Sequence, residues 1–156
     1  MDKYAEPILF SFREIPRLIP NIKAPRIQYI IKTGVLKPFF SPTGRGSNRT
    51  YDHGDIFLIA TYNYLIDHGI DLKMYAQAIK DKENEFIRKL ETAREDDVLL
   101  LSGKEMNFEQ LKNIKIKFDK KNFLPQVIIP IGLLIKDVDE RINQLLSEDK
   151  KGESNA

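Results

Sequence analysis

IQYIIKTGVLKPFFSPTGRGSNRTYDHGDIFLI, residues 27–59, changes character twice along its length. Ile27, Ile30 and Ile31 recur at helical spacing, and Gly34 supplies a left-handed stop. Leu36 to Phe40 and Arg49 to Tyr51 then read as two short strands of a hairpin. The tip between them, TGRGSN, has no apolar side chain to give to a core. It must present itself outward, where its glycines let backbone amides approach phosphate and Arg45 and Arg49 supply charge. From Asp52, an N-cap, the pattern turns helical again through Ile56, Ile59, Ala60, Asn63 and Leu65, and stops at Gly69.

Working toward the N-terminus, SFREIPRLI predicts a short helix with Ser11 as N-cap and Glu14 closing a capping box. Pro16 removes a backbone donor, so this helix is kinked, tightened or begins later than Ser11. A turn at Pro20-Asn21 leads into APRIQYIIK, whose first turn tolerates Pro25. Two short helices around a tight turn, with basic residues facing away from the second helix's apolar stripe, match the helix-turn-helix arrangement.

Charge supports an anionic partner. Between Arg13 and Arg49 stand eight basic residues and one acid, Glu14, whereas from Asp71 to Ala156 sixteen bases meet seventeen acids. The positive field belongs to the first third of the chain and favours phosphate, most commonly that of nucleic acid.

Toward the C-terminus, a helical pattern starts near Asp71 and runs toward Arg94, interrupted at Lys82 and Glu83. VLLLSG, IKIKF and QVIIP read as strands, with NFEQLKN ambiguous between them. GLLIKDVDERINQLL places Ile135, Val138, Ile142 and Leu145 on one side of a helix. The polar tail SEDKKGESNA reads as disordered. The expected class is α+β: residues 1–70 as a DNA-binding domain, 71–96 as a connecting helix, 97–147 as a small strand-plus-helix region for dimerisation or regulation, and 148–156 as a tail.

Composition excludes several classes of function. With no cysteine and only His53 and His68, the chain offers no thiolate metal site, iron–sulfur cluster or disulfide framework, and no cofactor is expected. The N-terminus lacks a signal-peptide pattern, and the longest apolar run, Val127 to Ile135, is too short for a bilayer, so the reading is cytoplasmic with no membrane partner. There is no P-loop, nucleophile elbow or metal-ligand spacing, and capping explains Asp52 and Asp55, so no enzymatic activity is expected.

Several motifs in residues 8 to 80 together resemble the MerR family of transcriptional regulators. IQYIIKTGVLKP is similar to that family's second helix and turn into its wing, LRYYEREGLLxP. RTYDHGDIFLI is similar to its wing-exit motif, RxYxxxDLxxL, with Arg49, Tyr51 and Asp55 in the matching places. HGIDLKMYAQAI resembles the GFSLEEIxxL segment that follows. Gln28 departs from the pattern where the family carries a phosphate-holding arginine, and Ile31 replaces a glutamate. The resemblance implies a winged helix-turn-helix that binds and bends promoter DNA, with double-stranded DNA, a second copy of the chain and RNA polymerase as partners. The expected DNA-binding residues are Lys23, Arg26, Gln28, Tyr29, Lys37, Arg45, Asn48 and Arg49. Arg26 is expected to read a base. The stripe Ile135, Val138, Ile142 and Leu145 is expected to form a homodimer, with packing inside the chain as the alternative. Two rival functions remain at this stage: an excisionase-like architectural protein, and a protein–protein adaptor using the C-terminal region.

Overall fold

The computed structural model describes residues 8–32, 49–103, 105–114 and 126–154. The strand expected at 36–40, the tip of the hairpin and all but the first residue of IKIKF lie outside the described residues. Helices and antiparallel strands are both present, as expected for α+β.

The first elements follow their local chemistry. The Ser11 backbone amide donates to Glu14 Oε1 at 2.9 Å, and the chain enters a 3-10 turn over Phe12–Glu14 before helix α1, Ile15–Leu18. Pro16 falls in the first turn of α1, so it costs no hydrogen bond there. Asn21 takes the left-handed conformation, φ 60°, in the turn to α2, Ala24–Lys32. Asn is one of the few side chains that tolerate that region.

One pairing was not visible in the sequence. Strand β2, Thr50–Tyr51, pairs antiparallel with β1, Phe10–Ser11, placing Phe10 opposite Tyr51. Two-residue strands carry no periodicity, so only the meeting of their buried aromatic side chains selects them.

Helix α3, His53–Asp67, begins with reciprocal bonds: the Asp55 amide donates to Asp52 Oδ1 at 2.8 Å and the Asp52 amide to Asp55 Oδ2 at 3.1 Å. Every residue from Gly54 to Asn63 is buried. A helix apolar all round must be covered all round, and α2, α4, Leu72–Asp81, α5, Glu83–Glu91, and α6, Ile131–Ser154, all pack on it. The expected connecting helix is instead two helices, α4 and α5, Glu83–Glu91, with the break at Lys82 where the apolar stripe lapses.

A three-stranded antiparallel sheet follows, in the order β4-β3-β5, formed by β3 Asp97–Ser102, β4 Glu105–Gln110 and β5 Gln126–Ile129. NFEQLKN thereby resolves into the end of β4 and a 3-10 turn, Leu111–Asn113. Leu99 pairs with Phe108 and Ile129 across the sheet, and this face meets the helices: the Phe86 and Phe108 rings are 5.1 Å apart. Tyr75 Oη donates to the Gly103 carbonyl at 2.7 Å, tying α4 to the β3–β4 turn.

Helix α6, Ile131–Ser154, corrects two expectations. The segment read as a disordered tail from residue 148 continues the helix through Ser154, because Glu and Lys are good helix formers and Glu148 pairs with Arg17 on α1. The stripe Ile135, Val138, Ile142 and Leu145 is buried within the chain, against α1, α3, α5 and β3, and is not a surface open to a second copy. One hydrophobic core runs from Phe10 to Leu145 and crosses the boundaries drawn at residues 70/71 and 96/97.

Replacing Ile142, fully buried, with Ala should therefore cost about 2–5 kcal/mol in urea unfolding at any protein concentration. A concentration-dependent loss would instead mark an interface. Tyr62 gives an alkaline signature. Its hydroxyl is buried without a hydrogen bond to a described residue, and burial, with Glu83 as a smaller contribution, drives its pKa far above the ordinary 10.0. The unfolded chain ionises near pH 10 while the folded one does not, so stability is full below that pH. Above it, stability should fall by about 1.4 kcal/mol per pH unit from this residue, a slope absent in Tyr62→Phe.

Candidate nucleic-acid interface

The second helix presents two contrasting faces. Ile27 and Ile30 point inward with no exposure and fasten α2 to the core. Pro25, Gln28, Tyr29 and Lys32 follow the i, i+3, i+4, i+7 spacing of one helical face, and all four are exposed. Tyr29 is 47% exposed, high for a large aromatic side chain, and Lys23 is exposed just ahead of the helix. The face therefore offers a flat apolar ring, an amide with donors and an acceptor, and flanking ammonium groups. Such a set can contact base edges and phosphates together.

Lys32 belongs to this face and was not among the residues expected to touch DNA. Its spacing, four residues beyond Gln28 and three beyond Tyr29, carried the signal. Lys23, Gln28 and Tyr29 stand where a ligand could reach them. Lys37, Arg45 and Asn48 lie outside the described residues.

Arg26 requires a correction. Rather than projecting from the exposed face, its Nη1 donates to Asp67 Oδ1 at 2.8 Å and to Asn63 Oδ1 at 3.2 Å. Both acceptors sit on the last turns of α3, and Asn63 is buried. The apolar stripe of α2 turns Arg26 to its flank, where an anchored carboxylate and amide oxygen satisfy the guanidinium better than water alone. Arg26 thus clasps α2 to α3. Arg17 is occupied too, by Glu148. The sequence places these acids far from the basic segment, so the nominal charge of that segment overstates the charge it exposes.

Arg49 is exposed at the start of β2. Burial pushes the Tyr51 phenol upward in pKa, and the positive charge of Arg49 offsets part of that shift. Among the described residues, no group of three metal-ligating side chains comes together, and no helix is long and apolar enough to cross a membrane.

Comparison with known proteins finds no family model and no curated protein that matches the chain.

The clasp is measurable apart from any ligand. Arg26→Ala and Asp67→Ala should each lower stability by about 1 kcal/mol, because the pair is about a third exposed and partly screened. The double variant should lose less than the sum, with about 0.5 kcal/mol of coupling in a denaturant double-mutant cycle. Strict additivity would show that the ion pair adds nothing to the stability of the fold.

Proposed function

We propose that the chain is a sequence-specific, double-stranded-DNA-binding regulator of the MerR-like winged helix-turn-helix type. In this reading α1 and α2 are the helix-turn-helix pair, α2 enters the major groove, and Arg49, just ahead of β2, adds a contact to the DNA backbone. The observation that carries the proposal is the exposed face of α2, Gln28, Tyr29 and Lys32 with Lys23 ahead of it, backed by a fully buried Ile27 and Ile30. An exposed recognition face on a rigidly packed helix is what direct readout of base edges demands.

Roles divide by chemistry. Gln28 can pair with adenine N6 and N7, and the Tyr29 ring can lie on a thymine methyl. Lys23, Lys32 and Arg49 hold phosphate. Arg26 acts through α3 as a positioning residue that fixes the angle of α2, in place of the base contact expected from sequence. The protein works by binding and bending a promoter, with no reaction of its own. A second copy, if one joins on a palindromic site, meets a surface other than the buried stripe of α6.

Selection from a random duplex pool should yield a defined site. On that site Gln28→Ala or Tyr29→Ala should cost about 1–3 kcal/mol and relax preference at one or two positions. Lys32→Ala should weaken all sequences alike and lower the salt slope by about one. Gln28→Arg should strengthen binding at moderate salt if that position also reaches phosphate. These effects can be read by fluorescence anisotropy across a salt titration. No retention on duplex at about 0.15 M salt would reject DNA binding, and retention with no selected sequence would make the protein architectural.

A further inference from the structure

On another side of the molecule, a cavity of about 730 Å3 opens between the start of α3, the end of α5 and the first turns of α6. Its volume suits a small organic molecule. None of its lining residues belongs to α2, so this inference and the DNA-binding proposal stand or fall separately.

The apolar part of the wall comes from Phe57, Ala93 and Ile135. His53 extends it, its ring standing edge-on to Phe10 at 5.5 Å and to Phe57 at 6.3 Å. Two glycines in the lining mark close packing. A Cβ on Gly54 would come within 2.7 Å of the Ile87 side chain, and one on Gly132 would lie 1.7 Å from the Arg94 carbonyl oxygen. At Gly132 α6 therefore meets the chain after α5 at backbone distance, and at Gly54 α3 lies against a side chain of α5.

The charges sort by what they already do. Asp52 is committed to capping α3, and Glu95 is paired with Lys136. Glu91 and Asp139 line the cavity and make no ion pair or hydrogen bond to another described residue. Arg94, also in the lining, makes no side-chain ion pair with another described residue. Helix ends oppose one another: the carboxyl end of α5 terminates at Glu91 on the cavity wall, while the amino end of α6, with no acid in its first turn, opens beside Gly132. The negative balance is set by side chains, Asp52, Glu91, Glu95 and Asp139 against Arg94 and Lys136, beside the Phe57 ring, which also attracts cations.

We infer that this cavity binds a small organic cation, a protonated amine on an aromatic or aliphatic body, with the ammonium at Glu91 and Asp139 and the body on Phe57 and Ile135. Three probes of similar shape and different charge test the inference on the full chain: tryptamine, 3-ethylindole and indole-3-propionate. Amide NMR titration should show tryptamine shifting the Gly54 and Gly132 signals saturably and binding more tightly than the neutral analogue, with the anion weakest. Glu91→Gln and Asp139→Asn should each weaken tryptamine by about three- to tenfold while the remaining amide spectrum shows the fold intact. Glu85→Gln, outside the cavity, should leave its affinity unchanged. Equal or tighter binding of the anion, no shift at Gly54 and Gly132, or full affinity in the Glu91→Gln, Asp139→Asn double variant would overturn the assignment.

Discussion

A helix buried on every face is the constraint from which the remaining packing follows. Helix α3 has no solvent side between Gly54 and Asn63, so α2, α4, α5 and α6 must each give it an apolar surface. Apart from the Tyr62 hydroxyl, its buried polar side chains find partners within the protein. Thr61 Oγ1 donates to the Phe57 carbonyl at 2.8 Å, Asn63 receives Arg26, and Asp55 closes the cap with Asp52. Each of these bonds removes a desolvation cost that would otherwise oppose burial. The Arg26 clasp consequently links the orientation of α2 to this buried helix.

Helix α6 performs a complementary task. It leaves the sheet at Ile131, crosses α5 and α3 with its buried stripe, and reaches α1 where Glu148 meets Arg17. The C-terminal segment is thus part of the same hydrophobic core as the first helices. The three-stranded sheet is small, and its central strand β3 finds cover in α6 and in the Phe86 and Phe108 pair. A ligand wedged at the start of α6 would press on the N-terminus of α3 as well, because the cavity walls are shared.

Electrostatics follow the same long-range logic. The basic segment loses two guanidinium groups to acids that lie much later in the chain, Asp67 and Glu148. What remains exposed on and beside α2 is Lys23 and Lys32, with the neutral Gln28 and Tyr29 between them. A face of this kind carries less non-specific attraction than the raw charge count implies, and relies more on directional contacts.

Local signals were legible in the residues themselves. Capping pairs such as Ser11 with Glu14 and Asp52 with Asp55, the helix stop at Gly69, the break at Lys82 and the strand VLLLS all act over a few residues, through short hydrogen bonds and side-chain spacing. The exposed positions Gln28 and Tyr29 were legible for the same reason, since helical period alone separates them from Ile27 and Ile30. Which surfaces meet was decided only by the tertiary structure. The pairing of Phe10–Ser11 with Thr50–Tyr51, the capture of Arg26 by Asp67 and the burial of the α6 stripe join residues about forty to more than one hundred positions apart. A stripe or a free guanidinium states in the sequence that it needs a partner; several partners satisfy that need equally well locally, and only the joint packing of all helices around α3 selects among them.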